Sequence, residues 1–185
     1  MVLLFTDRLY LSVILYYARL SGYKPEKRYK FEAINPVETE VEEQGDAQKS
    51  TSDYPMVLVQ IPMYHERKVY KLSIGAVCRL SWPSDRLIVQ VLDDSTDPLI
   101  KDLVQTECRR WENEGINIKY ETRANRNGYK AGALKEGLKH SYAEGCELVA
   151  IFDADFQPEP DYLRQTVPYF VHNPEIGLLQ TQWEF

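Results

Sequence analysis

Three strongly apolar runs in this chain of 185 residues each end in a cluster of polar residues. The runs cover residues 56–61, 87–92 and 148–152, and the clusters that follow read PMYHE at 62–66, DDSTD at 93–97 and DAD at 153–155. Runs this apolar are typical of strands that are buried on both faces of a parallel sheet. Because the carboxyl ends of parallel strands meet at one edge, where such sheets bind their ligands, we expect the three clusters to lie together.

Strands and helices alternate beyond residue 54. The predicted strands cover residues 56–61, 87–92, 116–121, 147–153 and 176–182, and the predicted helices cover residues 67–80, 98–113, 130–143 and 160–171. This alternation predicts right-handed crossovers and therefore an α/β fold with a mainly parallel sheet. The last strand would lack a neighbour on one side, so we expect it to favour self-association.

The first 34 residues are predicted to form a separate segment. Apolar residues recur at helical spacing from Val2 to Leu20, which predicts an amphipathic helix. Asp7, Arg8 and Arg19 leave too few uncharged residues for a membrane span, which needs about 20. Because basic residues follow this helix, we interpret it as lying in a membrane interface. The alternative is a helix packed on its own domain.

Residues 35–54 are polar, acidic and without periodicity, which predicts a flexible linker. The predicted organisation is therefore a membrane-interface segment at 1–34, a linker at 35–54 and an α/β domain at 55–185. The net charge of −6 makes nucleic acid an improbable partner. Cys78, Cys108 and Cys146 are odd in number and lack metal-ligand spacing, so we expect small core residues in a reducing compartment.

Asp153 and Asp155 come directly after a buried run. If the backbone is extended here, both carboxylates leave the same side of the strand. Two carboxylates with substrate phosphates and water are a usual environment for Mg²⁺, so this pair is a candidate site for a divalent cation. The alternative interpretation is an ordinary acidic loop.

Asp93 and Asp94 close the second run in the same way, and either carboxylate is a candidate to accept hydrogen bonds from a base or a ribose. Asp97 is interpreted as the cap of the helix that follows. Lys130 lies in the first turn of a helix that opens with small residues, beside backbone N–H groups that attract anions. Tyr64 offers a face for stacking a base, and Glu66 can accept from an exocyclic amine.

Taken together, these motifs resemble the donor-binding half of the processive inverting glycosyltransferases of the cellulose synthase superfamily. The resemblance rests on PMYHE at 62–66, VLDDSTD at 91–97, GYKAGALKEG at 128–137 and IFDADFQPEPD at 151–161. Within that superfamily, the chain is most similar to the plant cellulose synthase-like A group, the glucomannan 4-β-mannosyltransferases. The xyloglucan-backbone group is the alternative, but it has Cys where Tyr64 stands and Asn where Ala133 stands.

The resemblance implies a GT-A fold, a GDP-sugar donor and a Mg²⁺ or Mn²⁺ ion at Asp155 together with Asp153. Tyr64, Glu66 and Asp93 or Asp94 would hold the nucleotide, and Lys130 would approach the pyrophosphate. The implied reaction is transfer of mannose from GDP-mannose, or glucose from GDP-glucose, to the 4-hydroxyl of a β-1,4-mannan chain. The implied location is the Golgi membrane, with the globular part facing the cytosol. His65 departs from the asparagine that is usual in this family.

The family's later motifs, which carry the general base, the acceptor site and the channel helices, are not among these 185 residues. We therefore expect a truncated chain that supplies the donor and metal site and transfers little sugar by itself. Three alternatives remain. One is a haloacid dehalogenase-type phosphatase, which also has Asp-x-Asp after a buried strand; the others are a non-catalytic nucleotide-sugar binder and a plain scaffold.

Overall fold

The computed structural model describes residues 2–21, 29–34 and 54–181. The chain divides into two compact units, Met1–Lys30 and Phe31–Phe185. The predicted linker lies outside the described residues except for Tyr54. This residue is buried, its ring packs edge-on against Trp82 at 4.9 Å, and its hydroxyl donates to the carbonyl of Ile34 at 3.1 Å.

The first unit contains helix α1, Val2–Leu20, with the bounds that the sequence predicts. Its described apolar side chains are exposed: Leu9, Tyr10, Leu11, Val13, Ile14, Leu15, Tyr16, Tyr17 and Leu20. Between residues 9 and 17 only Ser12 is polar, so the apolar residues of this stretch are spread around the helix rather than confined to one stripe. Among the described residues, no helix is both long and apolar enough to cross a membrane.

The second unit is built on a four-stranded sheet. Its strands are β1 (Val57–Met63), β2 (Leu87–Asp93), β3 (Ile118–Thr122) and β4 (Leu148–Ile151), in the order β3-β2-β1-β4. Every pair of neighbouring strands is parallel, which confirms the predicted sheet. The register pairs Met63 with Asp93 and Gln60 with Ile151. The segments that follow β1, β2 and β4 therefore start at one edge.

Three helices connect the strands, α2 (Tyr70–Cys78), α3 (Pro98–Asn113) and α4 (Tyr129–Gly137), and a further helix, α5 (Tyr162–His172), follows β4. Short 3₁₀ helices lie at Ser84–Arg86 and Ser141–Ala143. Helix α3 has its predicted bounds, and the predicted cap is present because the Asp97 carboxylate accepts from the N–H of Leu99 at 2.9 Å.

One face of the sheet carries the main hydrophobic core. Val59, Ile61, Val89 and Val91 are fully buried there, together with Ile74 of α2 and Val104 of α3. Burying each such side chain stabilises the fold by about 1.5–3 kcal/mol relative to leaving it in water. The two central strands are thus held by apolar burial, and this rigidity positions the polar segments at their carboxyl ends.

On the opposite face, a buried polar pair joins the sheet to α4. The Gln60 side-chain amide donates to Gln90 Oε1 at 2.8 Å, and the Gln90 amide donates to the carbonyl of Gly137 at 2.9 Å. A Cβ atom at Gly137 would stand 2.4 Å from Gln90 Oε1, so a larger residue there would displace this hydrogen-bonded pair. Helix α4 ends at Gly137 instead of continuing to the predicted residue 143, and a turn follows in which the N–H of Lys139 donates to the carbonyl of Glu136 at 3.0 Å.

The predicted strand at 176–182 is wrong over its described residues, 176–181, which form no strand. The N–H of Ile176 instead donates to the carbonyl of Asn173 at 3.0 Å, and Leu178 is 83% exposed. An apolar run becomes a strand only beside a free edge that it can reach, and the sequence pattern carries no information on that edge. The self-association predicted from this strand therefore loses its basis, and among the described residues β4 is the edge strand on this side of the sheet.

The three cysteines are free, and Cys78 and Cys108 are buried as predicted, whereas Cys146 is partly buried. Burial raises the pKa of both Cys78 and Cys108 to about 12. At neutral pH these thiols are protonated, so they act as small core residues rather than as nucleophiles.

Candidate functional site

A cavity of about 280 Å³ opens at the carboxyl edge of the sheet. The ends of β1 and β2, the segment leading into α4 and the segment after β4 all contribute to its wall. Its polar lining is Tyr64, Glu66, Asp94, Arg126, Lys130, Asp153 and Asp155. The structure thus brings together every predicted site residue except Asp93.

Asp153 and Asp155 lie on a turn rather than on an extended strand. β4 ends at Ile151, and the N–H of Phe156 donates to the carbonyl of Asp153 at 2.9 Å, which closes the turn. Ala154 between the two acids is buried, whereas both acids are exposed. The predicted extended backbone is therefore wrong, but the turn still presents both carboxylates to the same cavity.

These two acids suit a cation that shares its ligands with a substrate. Among the described residues, no group of three or more His, Cys, Asp or Glu side chains is arranged to hold a metal ion. A closed protein cage is thus not formed by this part of the chain. Two exposed carboxylates beside an open cavity match the usual Mg²⁺ environment, in which substrate phosphates and water complete the octahedron.

Lys130 lies in the first turn of α4, and its Nζ contacts Asp153 Oδ1. The backbone is left-handed at Gly128 (φ 72°) and Tyr129 (φ 50°), which turns the chain sharply into the helix. A Cβ atom at Gly132 would stand 1.9 Å from the Asn127 carbonyl oxygen, so this close turn also requires glycine there. The helix N-terminus and the ammonium group are accordingly at the edge that carries the acids.

The structure separates the two adjacent acids at the end of β2. Asp93 is buried; its Oδ1 accepts from the N–H of Ser95 and its Oδ2 from the hydroxyl of Tyr120, both at 2.9 Å. Burial, followed by this hydrogen bond, raises the pKa of Tyr120 above its ordinary value. Asp94, in contrast, lines the cavity. Asp93 therefore shapes the loop, and only Asp94 faces the candidate site.

Two arginines that the sequence analysis did not single out organise the site. Arg123 donates from Nε and Nη2 to the two carboxylate oxygens of Asp94, at 2.6 and 2.5 Å. The hydrogen bonds with Asp94 raise the pKa of Arg123 above its ordinary value. Its guanidinium also donates to the carbonyls of Asn127 and Tyr129, both at 2.7 Å. Arg123 thereby joins the end of β2 to the turn that leads into α4, where Lys130 lies.

Tyr64 has both faces of its ring covered. The His65 ring stacks on it with centroids 4.2 Å apart and planes at 20°, and the Arg126 guanidinium carbon lies 3.3 Å from its centroid. Two groups this close cannot share one face, so they lie on opposite sides. Arg126 Nε is also 3.7 Å from Asp94 Oδ2. The predicted stacking surface of Tyr64 therefore carries a cation in this structure.

The order of elements, the all-parallel sheet and the position of the acidic cavity define the GT-A class of α/β fold. The chain belongs to glycosyl transferase family 2, whose family model matches residues 58–183. This membership removes the haloacid dehalogenase-type phosphatase as an alternative.

The chain is similar over its whole length to plant enzymes. It is 59% identical over 184 residues to glucomannan 4-beta-mannosyltransferase 9 of Arabidopsis thaliana and 58% identical to the probable glucomannan 4-beta-mannosyltransferase 9 of Oryza sativa subsp. japonica. All of this chain is covered, but only 33% and 35% of those relatives. The chain thus spans about a third of the length of the curated relatives it matches.

A solved structure supports the fold. The mannosyltransferase PcManGT of Pyrobaculum calidifontis, in a complex with GDP-Man and Mn²⁺, superposes with a TM-score of 0.63 at 25% identity. The match covers 91% of this chain and 42% of PcManGT. The structure of S. aureus TarS matches with a TM-score of 0.51 at 22% identity, over 63% of this chain and 19% of TarS, and shows the shared fold alone.

Proposed function

We propose that this chain is the donor-binding part of a glucomannan 4-β-mannosyltransferase and that it binds GDP-mannose with Mg²⁺ or Mn²⁺ in the cavity at the sheet edge. The observation that carries the proposal is the convergence of Asp153, Asp155, Lys130 and Asp94 on one cavity. Two carboxylates, an ammonium group and a helix N-terminus are the groups that a metal-bound diphosphate requires. The likeness to plant glucomannan mannosyltransferases and to a structure holding GDP-Man and Mn²⁺ supports this choice of donor.

Asp155 and Asp153 would hold the cation. When bound, the cation supplies positive charge that neutralises the charge growing on the departing GDP. Lys130, now against Asp153, would turn to the diphosphate once the cation satisfies that carboxylate. Because both side chains are about half exposed, at 51% and 59%, little packing opposes this exchange.

The nucleoside would lie on the β1 and β2 side of the cavity. Asp94 and Glu66 offer acceptors for ribose hydroxyls and for the exocyclic amine of guanine. Tyr64 would stack the base only after Arg126 leaves its ring. The phosphates of a nucleotide would attract the freed Arg126 guanidinium. A charged nucleotide should therefore displace Arg126 from the Tyr64 ring more readily than an uncharged nucleoside does.

The sugar has room beyond the first cavity. A second cavity of about 720 Å³ shares Lys130 and Asp153 with the first and is lined further by Phe156 and Tyr162. Together the two cavities provide the several hundred Å³ that ligand pockets usually have. In the proposed reaction, the 4-hydroxyl of a β-1,4-mannan acceptor would attack the anomeric carbon in line, with inversion. The bond to the diphosphate would break as GDP departs, and the hydroxyl proton would pass to a general base outside these 185 residues.

Titration calorimetry with this chain tests the proposal. We expect GDP-mannose to bind in the presence of Mn²⁺ and to bind at least about tenfold more weakly in EDTA, because the diphosphate then meets uncompensated carboxylates. UDP should compete less well than GDP, and GDP-glucose should report the sugar preference. Absence of metal-dependent GDP-mannose binding would contradict the proposal. We expect little GDP release with a mannan acceptor, and rapid transfer would overturn our view of the chain as a donor site only.

We further propose that α1 associates with a membrane surface, which is the Golgi membrane in the family the chain resembles. The exposed apolar side chains of α1 and the exposed Arg8 support this proposal. The free thiols fit a globular part on the reducing, cytosolic side. We expect the chain to float with vesicles that contain anionic lipid and a chain lacking residues 1–30, the first compact unit, to stay in solution. Equal flotation of the two chains would contradict the proposed membrane association of α1.

A further inference from the structure

His65 joins the two loops that form the nucleoside side of the cavity. Its backbone N–H donates to the Ser95 hydroxyl oxygen at 2.9 Å. Its ring Nε2 accepts from the backbone N–H of Thr96 at 3.0 Å and lies 2.9 Å from the Thr96 hydroxyl oxygen. The loop after β1 and the loop after β2 are thus tied at consecutive residues through backbone and side chain.

This arrangement requires a particular form of the imidazole. Because the N–H of Thr96 points at Nε2, that nitrogen must be an unprotonated acceptor, and the ring is the neutral tautomer with its proton on Nδ1. A proton on Nε2 would place two N–H groups against each other and break the hydrogen bond.

The backbone of His65 is left-handed, with φ 59°. Few residues other than glycine adopt this conformation, and asparagine, aspartate and histidine are enriched among those that do. The conformation and the ring acceptor act together, since the turn directs the ring both against Tyr64 and toward Thr96. A residue without the acceptor would lose the hydrogen bond to Thr96 and keep only the one from its backbone N–H to Ser95.

We propose that neutral His65 is a positioning residue that holds the loop of Asp94 against the loop of Tyr64 and Glu66, so that the three side chains face one nucleoside. This inference rests on the proposed function for its ligand, but the tie between the loops exists without ligand.

Two substitutions test the hydrogen bond from Thr96. His65→Gly keeps the left-handed backbone but removes the acceptor, whereas the longer side chain of His65→Gln can place its amide oxygen where Nε2 stands and accept from Thr96. Neither variant can stack on Tyr64 as the imidazole does, and glycine adopts the left-handed backbone more readily than glutamine, so tighter binding in His65→Gln reports the acceptor. We expect the affinity for GDP with Mn²⁺ to fall about 3- to 10-fold in His65→Gly, the scale of one neutral hydrogen bond, and to stay within about twofold in His65→Gln.

Rescue by His65→Gln is a second readout that a merely structural role of the ring would not produce, because glutamine has no ring to pack. His172→Gln is the matched control, because His172 lies on α5 away from both loops and its replacement should leave GDP binding unchanged. Equal affinity of the wild type and His65→Gly, or binding in His65→Gln as weak as in His65→Gly, would overturn the inference.

Amide hydrogen exchange of Thr96, without ligand, separates this inference from the proposed function. We expect protection of the Thr96 amide to fall in His65→Gly and to return in His65→Gln. If no variant binds GDP, the proposed function fails, and the exchange data alone decide on the tie. Unchanged protection in His65→Gly would then reject it.

Discussion

Asp155→Asn is expected to abolish the Mn²⁺-dependent part of GDP-mannose binding. Loss of a partner that only orients a metal ligand costs about 10- to 100-fold in metal affinity, so loss of a direct ligand should cost at least about 100-fold. The structure strengthens this expectation, because the described residues offer only Asp153 and Asp155 at this position and no third acid replaces either of them. Calorimetric titrations with and without EDTA measure the effect.

Asp153→Asn should lose the metal dependence as well, but with an additional effect. Its carboxylate contacts Lys130, so the substitution also frees an ammonium group at the cavity. We expect metal-free GDP-mannose binding to be stronger in Asp153→Asn than in Asp155→Asn, since the freed cation can meet the diphosphate. The two variants thus distinguish a ligand that is only acidic from one that also restrains Lys130.

Asp102→Asn serves as the control, because Asp102 is exposed on α3 and does not line the cavity. It removes the same charge without touching the site. Circular dichroism and thermal unfolding should show that all three variants fold as the wild type does, because the replaced side chains are exposed. Full Mn²⁺ dependence in Asp155→Asn would remove Asp155 from the metal site and leave the proposed function without its cation.

The positions of the predicted site residues followed from a single physical rule. Parallel strands end at one edge, so the polar clusters after β1, β2 and β4 had to meet, and they do. The rule fixes where a cluster lies but not which side chain turns to the cavity. Asp93 and Asp94 are adjacent in sequence, yet one is buried against Tyr120 and the other lines the site. Sequence spacing alone left that choice open.

The polar contacts between elements were not predictable in the same way. Gln60 and Gln90 are isolated polar residues within apolar runs of the sequence. They form a hydrogen bond because the register of β1 against β2 places them side by side. Arg123 follows β3 and meets Asp94 only because β3 lies next to β2. The sequence did contain one signal for Arg123. It follows a predicted strand, and a basic residue at the end of a strand next to the one that ends in two acids can balance their charge.

Arg123→Met is expected to lower the free energy of unfolding by about 3 kcal/mol and to abolish GDP-mannose binding. Its guanidinium and the Asp94 carboxylate are nearly buried, with 15% and 6% of the side chains exposed. Removing one partner of a buried pair typically costs about 3–5 kcal/mol, because a charge is left without compensation. We place the cost at the low end, since Arg126 stays 3.7 Å from Asp94 and keeps part of the attraction.

Binding should be lost for a separate reason. Arg123 also holds the carbonyls of Asn127 and Tyr129, which precede Lys130, so its removal frees the turn that presents the helix N-terminus to the cavity. Urea unfolding and calorimetry measure the two effects.

Arg109→Met is the matched control, because Arg109 is exposed on α3. The double variant Arg123→Met/Asp94→Asn should be less destabilised than the sum of the single variants, since no buried charge then remains unpaired. An unfolding midpoint for Arg123→Met equal to that of the wild type would show that this ion pair does not hold β2 to the loop before α4.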